Sequence, residues 1–201
     1  MPSEQGRQRI EDEDWSGRDL GAFQAEGVDF VDVDLAEATS SGAIFTACAF
    51  RGVRFNASRH TSAAFANCTF TRCSFFDASF TDCKLIGSAF ERCDLSTLVV
   101  TGGDWSLVDL SGADLRSVRF DGVRLREAGL AGVNAAGAVL RNVDLTASVI
   151  DGADFTGADL RGCDLTGVDP LVARMRGAVI TADQAIVIAT AFGLDVRAEG
   201  G

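Results

Sequence analysis

Counting from Trp15, every fifth residue is large and apolar with few exceptions, and from Val28 onward the residue two places before it is small or aliphatic, without a slip of frame for about 150 residues. The central positions include Phe45, Phe50, Phe55, Phe65, Phe70, Phe75, Phe80, Leu85 and Phe90. Only Ala25, Ser40, His60 and Ala135 depart from the large apolar type. The small positions include Ala38, Ala43, Cys48, Val53, Ala153 and Ala158. A period of five fits neither a helix, with 3.6 residues per turn, nor a strand, with two, so it marks a repeat architecture.

The clearest units are Ala113-Asp114-Leu115-Arg116-Ser117, Ala153-Asp154-Phe155-Thr156-Gly157 and Ala158-Asp159-Leu160-Arg161-Gly162. They resemble the pentapeptide-repeat family over nearly the whole chain. That resemblance implies an all-β solenoid: a right-handed quadrilateral β-helix in which each five-residue unit makes one face and four units make a coil. The small and large residues of each unit then point inward and the other three face solvent. Residues twenty apart should stack, and Phe30, Phe50, Phe70 and Phe90 form one such column. About eight coils at the ~4.8 Å spacing of a β ladder give a rod on the order of 40 Å long. Glycine gathers two places after the central residue, at Gly112, Gly122, Gly152 and Gly157, where a corner favours positive φ.

The length fits one domain with short appendages. Residues 1–13 read as a polar, disordered lead-in, 14–180 as the β-helix, and 181–201 as a helix and tail. No apolar run reaches transmembrane length, and no basic-then-apolar start marks a secretory signal. All six cysteines (Cys48, Cys68, Cys73, Cys83, Cys93, Cys163) sit at the small inward position, as reduced, space-filling thiols suited to the cytoplasm. With one histidine and no C-x-x-C, no zinc site is expected, and no cofactor is implied. His60 stands alone in a central slot with no nucleophile or acid partner, and a local distortion of its face is expected. The many Asp residues just before the central position read as outward side chains bonded to corner N–H groups. No catalytic constellation remains, so an enzyme is not expected.

The net charge of −11 is unevenly spread. Residues 1–50 hold eleven acids against three bases and residues 151–201 eight against four, while 51–100 are slightly basic. A straight rod with carboxylates at fixed intervals matches the regular phosphates of duplex DNA. A partner with a cationic DNA-binding saddle would accept such a rod. After the Asp169-Pro170 break, Thr181 reads as an N-cap, 182–192 as a helix and Gly193 as its stop. One side of this apolar helix can cover the open end of the solenoid. The other invites a two-fold copy through Ile186, Val187, Ala189, Phe192 and Leu194.

Lys84-Leu85-Ile86-Gly87-Ser88-Ala89-Phe90, Arg124-Leu125-Arg126-Glu127, the Val168-Asp169-Pro170 break and the ending Asp183-Gln184-Ala185 narrow the resemblance. They are similar to the fluoroquinolone-resistance branches of the family, the mycobacterial type and, more distantly, the Qnr type. The unbroken frame leaves no space for the loops usual in the Qnr type. This resemblance implies a homodimer that mimics DNA, binds DNA gyrase and inhibits it or protects it from fluoroquinolones, without itself binding nucleic acid or membrane. The acids expected to make that contact are Asp144, Asp154, Asp159, Asp164 and Asp169. Self-immunity against a gyrase-directed toxin and a scaffold role without topoisomerase contact are the alternatives.

Overall fold

A chain that buries two residues in every five turns a corner after each short extended segment. The computed structural model, which describes residues 7–197, shows how this is done. Most units are a short extended piece, such as Asp29–Val31 or Thr69–Thr71, followed by a corner residue in the left-handed region. Glycine fills many corners, but Asp32 (φ 52°), Asn67 (φ 53°) and Leu107 (φ 60°) adopt the same conformation. The corner geometry is therefore imposed by the coil, and glycine only lowers its cost.

Stacking follows a twenty-residue register with parallel pairing throughout. It runs from Arg9↔Asp29 to Asp159↔Val179. Four faces result. The first carries Ile10, Phe30, Phe50, Phe70 and Phe90 in a five-stranded sheet, and the third carries Ser40, His60, Phe80, Val100 and Phe120 within a six-stranded sheet. The fourth begins as a three-stranded sheet through Ala25, Phe45 and Phe65. The second, through Leu35, Phe55 and Phe75, is held by isolated bridges such as Asp34↔Arg54 and Arg54↔Ser74.

The β-helix begins earlier than the sequence frame suggested. Arg9–Glu11 pairs in register with Asp29–Val31, and Ile10 takes the central role five places before Trp15. The flanking acids hid this unit, because the inward place before Trp15 is occupied by the exposed Glu13. Residues 1–6 of the expected lead-in lie outside the described residues.

Inside, the columns are aromatic in the first half. Phe30 and Phe50 stack at 4.8 Å between ring centroids, Phe50 and Phe70 at 4.9 Å, and Phe70 and Phe90 at 4.8 Å. Rings on neighbouring faces meet edge-on, as Phe70 does with Phe75 at 5.4 Å. Both arrangements are favoured by the ring quadrupole. At Gly103, whose φ is 89°, a Cβ would stand 2.2 Å from the Cys83 carbonyl oxygen, so the backbone taken here requires glycine although Cys83 and Val123 hold the same place in the neighbouring coils.

At the C-terminal end Asp169 caps a short 3-10 turn, Pro170–Val172, and bridges then continue through Arg174 and Val179. An α-helix, Ala182–Ala191, follows.

Phe70→Ala is expected to cost roughly 3–5 kcal/mol, because rings above, below and beside it prevent collapse around the cavity. Chemical denaturation measures this, and a loss under about 1 kcal/mol would contradict the packing.

Candidate functional site

The twenty-residue pitch distributes the five nominated carboxylates around the rod. Asp144 and Asp164 bridge one another on the fourth face. By the same register Asp154 lies on the second face, Asp159 on the third and Asp169 on the first. They share the last coils but not a face. Each uses Oδ1 to accept the N–H two residues on: Thr146 at 3.1 Å, Thr156 at 2.9 Å, Arg161 at 3.3 Å, Thr166 at 2.9 Å and Leu171 at 2.9 Å. This local bond holds the corner and fixes where each carboxylate points.

Their electrostatic roles differ. Asp159 is gripped by Arg161 at 2.8 Å and Arg141 at 2.6 Å, and its side chain is only 16% exposed. Its carboxyl is held well below the usual carboxylate range, first by Arg161. Asp154 pairs with Arg174 at 3.5 Å and Asp144 with Arg126 at 3.4 Å. Hydrogen bonds to Thr156 and Thr166 lower the carboxyls of Asp154 and Asp164. Among the described residues Asp164 and Asp169 have no cation within ion-pair distance. Asp144 also borders a polar groove of about 590 Å³ between the third and fourth faces, beside Asp104, Arg124 and Asn142.

These arginine partners were missed in the sequence, although the signal was present. Asp34 and Arg54, Asp104 and Arg124, and Asp154 and Arg174 each stand twenty apart at the same place in the unit, and each pair forms. Exposed pairs of this kind contribute up to about 1 kcal/mol apiece.

The end helix is fixed by a capping box: Gln184 N–H donates to the Thr181 hydroxyl, and Thr181 N–H donates to Gln184 Oε1 at 2.8 Å. The Gln184 amide then donates to the carbonyls of Leu160 at 2.7 Å and Cys163 at 2.8 Å. This residue closes the ladder by hydrogen bonding. The Thr-x-x-Gln spacing was its visible signature. Apolar packing below the helix is incomplete. Val187 and Ile188 line a cavity of about 280 Å³ with Leu165, Val168 and Met175. Ile186, Val187, Phe192 and Leu194 are exposed, Ala189 is half-buried, and Leu171 and Val179 of the last coil are exposed beside the ladder's end.

His60 does not distort its face. It pairs in register with Ser40 and Phe80, and its ring lies 4.8 Å from that of Phe80. Ser58 Oγ donates to the Phe55 carbonyl at 2.7 Å, which leaves it to accept from His60 Nε2–H at 3.1 Å. Ser40 Oγ then donates to Nδ1 at 2.8 Å. A central slot accepts an imidazole because both nitrogens are satisfied inside the coil. Every cysteine is free, and all but the half-buried Cys93 are buried. Burial pushes the Cys83 thiol up to about 11 and that of Cys163 up to about 12. Among the described residues no group of three or more His, Cys, Asp or Glu is placed to hold a metal ion. No helix there is long and apolar enough to cross a membrane.

A four-faced coil of five-residue units defines the class, and residues 73–155 match the pentapeptide repeat region family. Those residues carry the repeat that the frame implied. Among solved structures the chain is similar to QnrB1, a plasmid-mediated fluoroquinolone resistance protein. One trypsin-treated variant of QnrB1 is 20% identical with a TM-score of 0.64, covering 95% of this chain and 98% of that one. The full-length protein is 18% identical with a TM-score of 0.61, covering 92% and 100%. The likeness is one of fold. A search of curated proteins finds no match.

Buried and neutral, His60 should make the fold acid-sensitive. Burial lowers its pKa to about 4, against an ordinary value of 6.5. Protonation therefore favours the unfolded chain. The stabilising contribution is complete above about 6.5 and is lost as pH falls toward about 4, amounting to roughly 3 kcal/mol. Unfolding midpoints between pH 7 and pH 4 measure it, and His60→Phe should flatten that part of the profile.

Proposed function

We propose that this protein is a DNA mimic that binds DNA gyrase, inhibiting it or shielding it from fluoroquinolones. The supporting observation is a rod with carboxylates locked at fixed pitch, some of them left without cations. Asp164 and Asp169 are such groups, each oriented by a corner N–H. On the first face, residues 109–112, 129–132, 149–152 and 169–172 bring Asp109, Asp151 and Asp169 but no Lys or Arg. A positively charged DNA-binding surface would meet these carboxylates as it meets phosphates. The QnrB1-like fold supports the same reading. The chemistry is binding, so no catalytic group is required.

We further propose that two copies join through the end helix, with Ile186, Val187, Ala189, Phe192 and Leu194 at the seam. These side chains and the cavity beneath the helix supply apolar surface that one chain leaves uncovered. Such a dimer sets the acidic coils on both sides of a two-fold axis.

Replacing Asp164 and Asp169 together by Asn removes charge while keeping the Oδ1 acceptor, as Asn134 already does toward the Ala136 N–H. Gyrase supercoiling inhibition should weaken several-fold, with stability changed by no more than about 0.5 kcal/mol. Raised salt should weaken it further. Inhibition that survives both changes would assign the acidity to solubility. A wild-type protein without effect on gyrase, with or without fluoroquinolone, would favour the scaffold reading.

Phe192→Glu should give a folded monomer by light scattering. A dimer persisting in Phe192→Glu and in Ile186→Glu would place the interface elsewhere.

A further inference from the structure

On the second face each coil passes hydrogen bonds to the next in a fixed pattern. Phe75 N–H donates to the Asp94 carbonyl at 2.7 Å, and Leu115 N–H to that of Asn134 at 2.7 Å. Asp94 N–H donates to the Cys73 carbonyl at 2.9 Å, and Asn134 N–H to that of Ala113 at 2.9 Å. Between these levels the pattern lapses. Leu95 N–H does not reach the Asp114 carbonyl, Asp114 N–H does not reach that of Cys93, and Asp94 and Asp114 are not bridged. Thr97, β-branched at a φ of 58°, donates its N–H to the Ser117 hydroxyl at 3.1 Å instead of to a carbonyl. Cys93 is half-buried here, whereas Cys73 one coil below is buried.

The other three faces are closed at the same level. Phe90 N–H donates to the Asp109 carbonyl at 2.9 Å, Val100 pairs with Phe120, and Trp105 N–H donates to the Arg124 carbonyl at 2.8 Å. Trp105 points inward from the fourth face, directly opposite the open one. The same slot holds Phe65, Leu85, Leu125 and Leu145 in other coils, so this section carries the largest side chain of its column. Trp105 is fully buried, and its Nε1 has no partner among the described residues. An oversized group in a section of fixed perimeter separates the wall it faces.

We propose that the rod has a joint at this level: Trp105 wedges the second face open between Arg92–Thr97 and Ser111–Ser117, and the intact fourth face serves as its pivot. Opening and closing the seam changes the angle between the two parts of the rod. A partner that grips both parts thereby selects a curvature that a uniformly laddered solenoid would resist. The proposal does not depend on which partner that is.

Hydrogen–deuterium exchange on the full chain tests it. The amides of Leu95 and Asp114 should exchange at least roughly tenfold faster than those of Phe75 and Asn134 on the same face. Trp105→Leu should slow them toward their neighbours and reduce alkylation of Cys93 by iodoacetamide, read by peptide mass mapping. Trp105→Phe serves if the leucine variant does not fold. Equal protection of all four amides in the wild type overturns the joint. Fast exchange that persists in a folded Trp105 variant overturns the wedge.

Discussion

The main-chain hydrogen bond between one coil and the next is the constraint on which everything else here depends. Because the bonds are parallel and the register is twenty, each residue sits directly above its counterpart. The core is therefore a set of columns rather than a three-dimensional jigsaw, and contacts are almost wholly between neighbouring coils. Such a wall cannot stretch. It accepts two inward residues per unit, one small and one large, and it transmits the size of any exception to the wall opposite.

The same pitch acts on the outside with the opposite freedom. It fixes where charges stand but not their sign. An Asp placed twenty residues from an Arg becomes an ion pair, as with Asp104 and Arg124 at 2.8 Å. An Asp stacked on another Asp, as Asp164 is on Asp144, remains a ladder of negative charge unless a side chain from a neighbouring column reaches it. Net acidity alone therefore overstates the field available to a partner. What matters is the subset of carboxylates with no cation within ion-pair reach.

Much of the fold was legible, because the inward residues repeat without insertion and a core column tolerates few types. The helix boundaries were legible for a similar reason: Thr181 and Gly193 have strong local signatures at its ends. Other features were hidden by locality. The Ile10 unit lacked its small partner, and His60 looked disruptive until Ser40 and Ser58 supplied both of its hydrogen bonds across coils. The candidate site was less legible still. Five carboxylates close in sequence read as one patch, but successive units turn a corner and place them on four faces. Sorting the sequence into columns of twenty, rather than into segments, would have exposed the dispersion and the Arg174 partner of Asp154, whereas Arg126 and Arg141 reach Asp144 and Asp159 from eighteen residues away.

A solenoid of this kind also dictates where function can reside. Its interior is filled, and its walls repeat, so specificity has to come from what breaks the repeat: a side chain on the surface, an irregular level, or an end. At the C-terminal end the ladder is terminated by Gln184 donating to two carbonyls, not by a fully packed apolar lid. Hydrogen bonding satisfies the open backbone there while cavities and exposed apolar side chains remain around the helix. One element thus ends the fold and still leaves surface to be covered. Gln184 meets part of the polar requirement of the last coil within the chain, while the apolar surface beside the helix stays exposed.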